Sequence, residues 1–459
     1  MNKLIYAVID TCVSAALLIG FAVYCLCKTF YIRIFIIAHN LIICLKKCSG
    51  AFTDALQAIG RIIMKYNSIT KELSSIIMLQ NQRQELSHNA GGKIYIGACP
   101  QALTAQLAII DADTPGGACK IKAGIPTPLD VSTKEYFPSI WEEMILNAQA
   151  SLNDSGTLAL IASAQESADF KLLLDRVLGK ENFVNQIIWH YSLPGSAKRH
   201  FLKRHSVIYI YSKTRKYFIN TLAVGRKRNQ NGRVHLKKQT DGDGRSFYQI
   251  TSRNKTLKYY ADAIIPFDDV WDIPQIGPRS AENENYPGQK PRELADRLIL
   301  CLSKPNDTVI DYTCAGGTAL VSACENGRNF IGLARTHTDA HISFMRLLRA
   351  GCPRLEMHGT ALPTKEVVSL NTLERPDCLE IYLDGYGRLS GCSPFKQNGL
   401  EGVDVWAVGH FRDNTFVSDN FALRDKRGTS PDRCLKTKET DGAVYIADIY
   451  GREKIIALE

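Results

Sequence analysis

The first 80 residues and the rest of the chain differ in how their apolar positions are spaced. Leu4–Cys27 is a continuous apolar run whose only acidic or basic residue is Asp10. A bilayer core takes roughly 20 apolar residues, so this run predicts a transmembrane segment. Ile34–Leu45 is shorter and is interrupted by His39 and Asn40, which suits an interfacial segment or the second arm of a hairpin. Lys28, Arg33, Lys46 and Lys47 follow the first run, against Lys3 before it. That bias predicts a membrane-anchored protein with its C-terminal bulk in the cytoplasm. Phe52, Leu56, Ile59, Ile63, Tyr66, Thr70, Leu73 and Ile77 then step alternately by four and three. This spacing predicts an amphipathic helix, which either forms a coiled-coil homodimer through residues 52–77 or packs on its own protein. Gln80–Gly92 is polar and predicts a linker.

From residue 93 the period changes. Lys93–Gly97 alternates like a strand, and Leu107–Asp111 is an apolar run ending in an acid. Trp141–Leu152 and Ala168–Leu178 predict helices, the second stopped by Gly179. Asn182–His190 and Ser206–Tyr211 predict strands. Thr308–Asp311 empties through Gly316-Gly317-Thr318 into a helical run, and Phe330–Leu333 follows as a second strand. The unit is βαβ, and a strand leading through glycines into a helix N-terminus is a cradle for a small ligand. Residues 355–459 carry short strand patterns at 403–408, 414–417 and 442–447, which predict a small antiparallel β domain.

Composition adds two constraints. The 459 residues are 45% hydrophobic and 22% charged, with a net charge of +10, ample for two or three globular domains. The positive charge is concentrated. Residues 198–258 hold 17 Lys/Arg against two acids, Asp241 and Asp243. Such a segment predicts an anionic partner, with nucleic acid favoured and anionic lipid second. The fourteen cysteines include no C-x-x-C pair. They predict reduced core thiols and no metal site.

Three blocks together carry a family resemblance: Tyr286-Pro-Gly-Gln-Lys-Pro291, Asp311-Tyr-Thr-Cys-Ala-Gly-Gly-Thr318 and Gly327-Arg-Asn-Phe-Ile-Gly-Leu-Ala334. In order and spacing they resemble the amino-methylating DNA methyltransferases, which act on adenine N6 or cytosine N4, of the type III modification-subunit kind. The resemblance covers roughly residues 93–350. It implies a Rossmann-like α/β fold that uses S-adenosylmethionine, here preceded by the transmembrane and amphipathic segments and followed by the β-rich domain. The expected organisation is an anchor at 1–50, a helix and linker at 51–92, a methyltransferase-like domain at 93–354 with a target-recognition-like basic insertion at 195–260, and the β-rich region at 355–459.

The same resemblance implies roles for residues. Asp111 would be catalytic, because an exocyclic amine becomes nucleophilic when a carboxylate and a backbone carbonyl accept its two hydrogens. Asp311, Cys314, Gly316, Gly317, Thr318, Gln289 and Lys290 would bind the cofactor. Lys198, Arg199, Lys203, Arg204, Arg226, Lys227, Arg228, Lys237 and Lys238 would bind DNA phosphates. The chain departs from the family pattern at three places. Ala112-Asp113-Thr114 stands for Pro-Pro-aromatic, Tyr312-Thr313 together with Ala315 for Pro-Phe and a loop glycine, and Ala334 for the acid that holds the ribose. Two functions therefore stand at this point: a DNA amino-methyltransferase, and a non-catalytic relative that binds nucleic acid at a membrane. Asp111 likewise has two readings, catalytic carboxylate or ordinary strand-end Asp capping the next turn.

Overall fold

The computed structural model describes residues 74–80 and 90–458, apart from 98–99, 101–102, 114–118, 123–124, 129–136, 193, 228–236, 253–254, 287, 388–398, 414 and 439–441. The expected membrane segments and the seam from Phe52 to Leu73 lie outside the described residues. The expectation of a membrane-anchored protein with a cytoplasmic bulk is corrected. Among the described residues no helix is long and apolar enough to cross a membrane. The longest of them has 15 residues, short of the roughly 20 a bilayer core requires.

The strand and helix order begins with β1 (Ser74–Gln80), β2 (Gly91–Ile96) and β3 (Ala105–Asp111). Next come α1 (Phe137–Ser151), β4 (Leu152–Ser163), α2 (Ser167–Leu178), β5 (Phe183–His190) and β6 (His205–Ser212). Besides the two-residue strand Arg226–Lys227, the basic middle holds β7 (Lys238–Thr240), β8 (Ser246–Ser252) and β9 (Lys255–Tyr260), and is followed by β10 (Val270–Asp272). The second half runs α3 (Arg292–Leu302), β11 (Thr308–Cys314), α4 (Thr318–Glu325), β12 (Asn329–Ala334), α5 (His337–Arg349) and β13 (Arg354–Thr360). The C-terminal strands are β14 (Val367–Glu374), β15 (Leu379–Gly387), β16 (Val403–Arg412), β17 (Thr415–Leu423), β18 (Cys434–Thr437), β19 (Ala443–Asp448) and β20 (Glu453–Ala457).

One sheet of 14 strands, in the order β10-β5-β6-β4-β3-β11-β12-β2-β13-β1-β17-β16-β19-β20, organises the molecule. From β4 through β13 every pairing is parallel. Parallel strands are covered on both faces, and their sequences are correspondingly apolar throughout. In β3, residues 105–110 are all buried. Leu107 and Ile109 enter the core beneath α3, α4 and α5, while Ala108 and Ile110 enter the core beneath α1 and α2. Val309 and Ile310 of β11 divide the same way. Helix α3 buries Leu294, Leu298, Ile299 and Leu302, the i, i+4 stripe of a helix laid on a sheet. Each such side chain contributes roughly 1.5–3 kcal/mol on full burial.

The C-terminal strands extend this sheet and also build a second layer. Strands β14, β15 and β18 form a separate three-stranded sheet. Trp406, Val408, Ile381, Leu383 and Tyr386 pack between the layers, whereas Val405 and Ala407 of β16 face the main core. The boundary expected at residue 355 is therefore shifted, because β13 pairs with β2 in the central sheet. The helix expected through 77 is corrected at its end as well. Ser74–Gln80 is a strand, antiparallel to β13 and parallel to β17, and Ile77 is fully buried. Burial of Ile77 and Leu79 at every second position is the period of a strand, and pairing on both edges agrees with it. The homodimer expected through 52–77 receives no support from this strand.

Candidate active site

The two motif strands lie side by side. Strand β11 pairs in parallel with β3, with Val309 opposite Leu107 and Asp311 opposite Ile109. Their C-terminal ends open on one cleft, where ligands of open α/β sheets bind. Thr313 ties the two ends together. The backbone N–H of Asp111 donates to its hydroxyl (2.7 Å), and its own N–H donates to Asp311 Oδ1 (3.0 Å). A cavity of about 60 Å³ lies between them. Of the residues expected from sequence, Asp111, Gln289, Lys290, Asp311, Gly316, Gly317 and Thr318 all line it. Cys314 does not. It is buried, with Sγ 3.2 Å from Ser343 Oγ, and belongs to the core between β11 and α5.

On the β3 side the arrangement is a ring of charges. Lys290 Nζ lies 3.0 Å from Asp111 Oδ2 and 4.0 Å from Asp113 Oδ2, and donates to Asp113 O at 3.0 Å. Asp113 N–H donates to Asp111 Oδ1, and Ser206 donates to Asp113 Oδ2 at 2.7 Å. Burial raises the Asp111 carboxyl above the ordinary carboxylate range, the Lys290 charge opposes that rise, and Asp113 adds to it. Burial also lifts Asp311, to about 7, against the Thr313 hydrogen bonds and with help from the Asp111 charge. Asp113 is the residue that the family pattern gives as proline. Here it brings a second acid and a carbonyl into the cleft.

On the β11 side a tight turn carries the chain into α4. Gly317 has φ +66°, and a Cβ there would lie 3.0 Å from the Ser343 Cα. Only glycine fits both the left-handed backbone and that contact. Two donors from α5 fix the turn's carbonyls. Ser343 donates to Ala315 O (2.8 Å), while Arg346 donates to Gly316 O and to Thr318 Oγ1, both at 2.7 Å. Gln289 and Tyr286 pack over Gly316. The Tyr286 hydroxyl donates to Asp339 Oδ1 (3.0 Å) on α5. Tyr312, in place of the family's proline, donates to Asn147 O and Ser151 Oγ and so locks α1 against the strand. Ala334 ends β12, buried and without an acceptor side chain.

Ser343, Arg346 and Ser206 escaped the motif comparison because they act through long-range contacts, and Asp113 entered it only as a departure from the family pattern. The one local signal is the Ser343–Arg346 spacing, which puts both donors on one face of α5.

The basic residues are divided. Lys198, Arg199 and Lys203 are exposed and Arg204 half-buried, on the loop joining β5 to β6. The base of that loop lies beside the cleft: Tyr191 N–H bonds Arg204 O across it, and Ser206, in β6 just after it, bonds Asp113. Arg226 is committed to Asp268 (3.0 Å) and stacks on Phe267. Lys237 and Lys238 are exposed at the three-stranded β7–β9 sheet. Arg228 and the Lys227 side chain lie outside the described residues. Among those described, no group of three His, Cys, Asp or Glu side chains is placed to hold a metal ion.

Residues 129–343 match the DNA methylase family model for N6 and N4 methyltransferases. The chain is 27% identical over 192 residues to DNA adenine methyltransferase YhdJ of Escherichia coli K12, covering 42% of this chain and 60% of that protein. It is 24% identical over 308 residues to type II methyltransferase M.EcaI of Enterobacter cloacae, covering 56% of this chain and 68% of that one. Among solved structures, the cytosine-N4-specific PvuII DNA methyltransferase overlays with a TM-score of 0.36 at 12% identity, over 56% of this chain and 88% of that one. The M1.HpyAVI–SAM complex overlays with a TM-score of 0.33 at 18% identity, over 55% and 98%. The chain is thus similar to amino-methylating DNA methyltransferases over residues 129–343, just under half of its length, and spans 60% of the length of YhdJ. The matched span contains the 286–318 blocks and the basic middle but begins after Asp111.

Proposed function

We propose that the protein is a DNA amino-methyltransferase that transfers a methyl group from S-adenosylmethionine to adenine N6 or cytosine N4. The observation that carries this reading is the Lys290 ammonium, held at 3.0 Å by both Asp111 Oδ2 and Asp113 O. These two acceptors are spaced for one nitrogen with two hydrogens. A flipped-out exocyclic amine meets the same pair once Lys290 withdraws. Accepting both hydrogens draws the nitrogen lone pair away from the ring and toward the turn at 316–318.

The residues present fit the amino-acid end of the cofactor. The Gly316-Gly317 turn, the free N–H groups that open α4, and Gln289 line one side of the cavity. When bound there, S-adenosylmethionine supplies an electrophilic methyl group. At the ribose end Ala334 offers no acceptor, which weakens binding by roughly 1–3 kcal/mol. The cavity is small, about 60 Å³, and partly open to solvent, so a nucleoside-sized donor extends beyond it. The exposed Lys198, Arg199 and Lys203 supply charge for duplex phosphates beside the cleft.

The test is transfer of a labelled methyl group to mixed-sequence DNA by the full chain, with Asp111→Ala alongside. Turnover that disappears in the variant supports the proposal. DNA binding with no turnover in the wild type refutes it and leaves a non-catalytic DNA-binding relative.

A further inference from the structure

The C-terminal strands lie outside the span matched to the methylase family, yet they touch the cofactor side of the cleft through one buried carboxylate. The Glu284 side chain is 9% exposed and faces three cations. Lys426 Nζ is 2.6 Å from Oε1, Arg346 Nε 3.7 Å from Oε1, and Arg349 Nη1 3.9 Å from Oε2. Each cation holds a different piece. Arg346 is the donor to Gly316 O and Thr318 Oγ1 in the glycine turn. Lys426, on the turn after β17, also donates to Ala281 O at 2.9 Å. Arg349 reaches Arg424 O at 3.4 Å.

Glu284 also acts through its backbone. Its N–H donates to Gln289 Oε1 (2.9 Å), and Gln289 Nε2 donates to Glu282 O (2.7 Å). Glu282 Oε2 in turn accepts from Arg292 N at the start of α3. The segment that roofs the cavity and the turn that floors it are therefore tied to one carboxylate. That carboxylate offsets the mutual repulsion of two guanidinium groups and an ammonium.

We propose that Glu284 and Lys426 are positioning residues for the methyl donor, and that the C-terminal β region sets donor affinity by clamping 281–289 against the 314–318 turn. Neither residue lines the cavity beside Asp111, and both act through Arg346 and Gln289. The proposal rests on the reading of the cavity as a donor site.

The experiment is calorimetric titration of the full chain with S-adenosylmethionine, for wild type, Lys426→Met, Lys426→Arg and Glu284→Gln, with thermal midpoints measured in parallel. Lys426→Met is expected to raise Kd about fivefold or more at a little-changed midpoint, because Lys426 is 44% exposed and the coupling is of ordinary allosteric size. Lys426→Arg is expected to restore it. Glu284→Gln is expected to raise Kd further, since it strands Arg346. In methyl transfer the loss should fall on KM for the donor and leave kcat nearly unchanged. A Lys426→Met Kd within twofold of wild type overturns the clamp and leaves the donor site standing. So does a loss that Lys426→Arg fails to restore. A wild type that binds no S-adenosylmethionine overturns both the clamp and the donor site.

Discussion

Replacing Lys290 by Met removes the ammonium from the Asp111–Asp113 pair while keeping the bulk of the stem. The pair is largely enclosed, with side chains 11% and 14% exposed and 3.0 Å between charges. At an effective dielectric of about 20 the gross attraction is roughly 5 kcal/mol. Removing one partner of such a pair costs about 3–5 kcal/mol, because the other is left buried and charged. The pH dependence identifies the cause. Burial already holds the Asp111 pKa above its ordinary value, with Lys290 opposing the rise. Without Lys290 the folded pKa climbs further, so the folded variant binds a proton that the unfolded chain releases. Its stability then falls as pH rises from the ordinary carboxylate value through the folded one. The urea midpoint of Lys290→Met should therefore lie close to wild type at pH 5 and well below it at pH 8. In an Asp111→Asn background the same substitution should cost at least 1 kcal/mol less. A gap that is equal at both pH values, and additive with Asp111→Asn, would show that the Lys290 ammonium is not what balances Asp111.

Three further outcomes follow from the geometry. Gly317→Ala forces a φ of +66° on an L-residue and sets a Cβ 3.0 Å from Ser343 Cα. It should destabilise by 1 kcal/mol or more and weaken donor binding at least tenfold by calorimetry, while Gly242→Ala, which meets open space, changes neither. Asp311, lifted to about 7, makes the wild type lose stability as pH rises from the ordinary value of 3.8 to 7, by up to about 4 kcal/mol; Asp311→Asn should flatten that slope in urea midpoints. Replacing Lys198, Arg199 and Lys203 together by Ala should lower the slope of log K for DNA against log salt by roughly 2–3, equally for unrelated sequences.

The α/β half was legible because its apolar runs are local and period-specific. Leu107–Asp111 and Val309-Ile310 read as buried strands, and the glycines at 316 and 317 marked the turn between strand and helix. The cavity lining was legible for the same reason, since strand ends and the turn after them bring those residues together. What stayed hidden was long-range. Glu284 meets Lys426 across 142 positions, and no periodicity records an ion pair at that separation. Asp113 looked like a lost proline, and only the Lys290 contact shows that it supplies an acceptor. Cys314 sat within the motif but points at Ser343, because an irregularity in β11 between Asp311 and Cys314 turns it to the face opposite Ile310 and Tyr312. Ile77 satisfied a helical seam and a strand equally well, and its two neighbouring strands lie some 280 and 340 residues downstream.

That last strand carries a consequence for biosynthesis. Among the described residues, Ser74–Gln80 links β13 to β17 in the central sheet, so it is a keystone whose neighbouring strands come some 280 and 340 residues later. At roughly 5–20 residues per second on the ribosome, Ile77 emerges on the order of 20–70 seconds before Phe416, its partner in β17. Until β13 emerges the ribbon has neither mate, and from then until Phe416 emerges one of its edges stays open. Nascent chains stalled in this window are where chaperone capture or cross-chain pairing would concentrate.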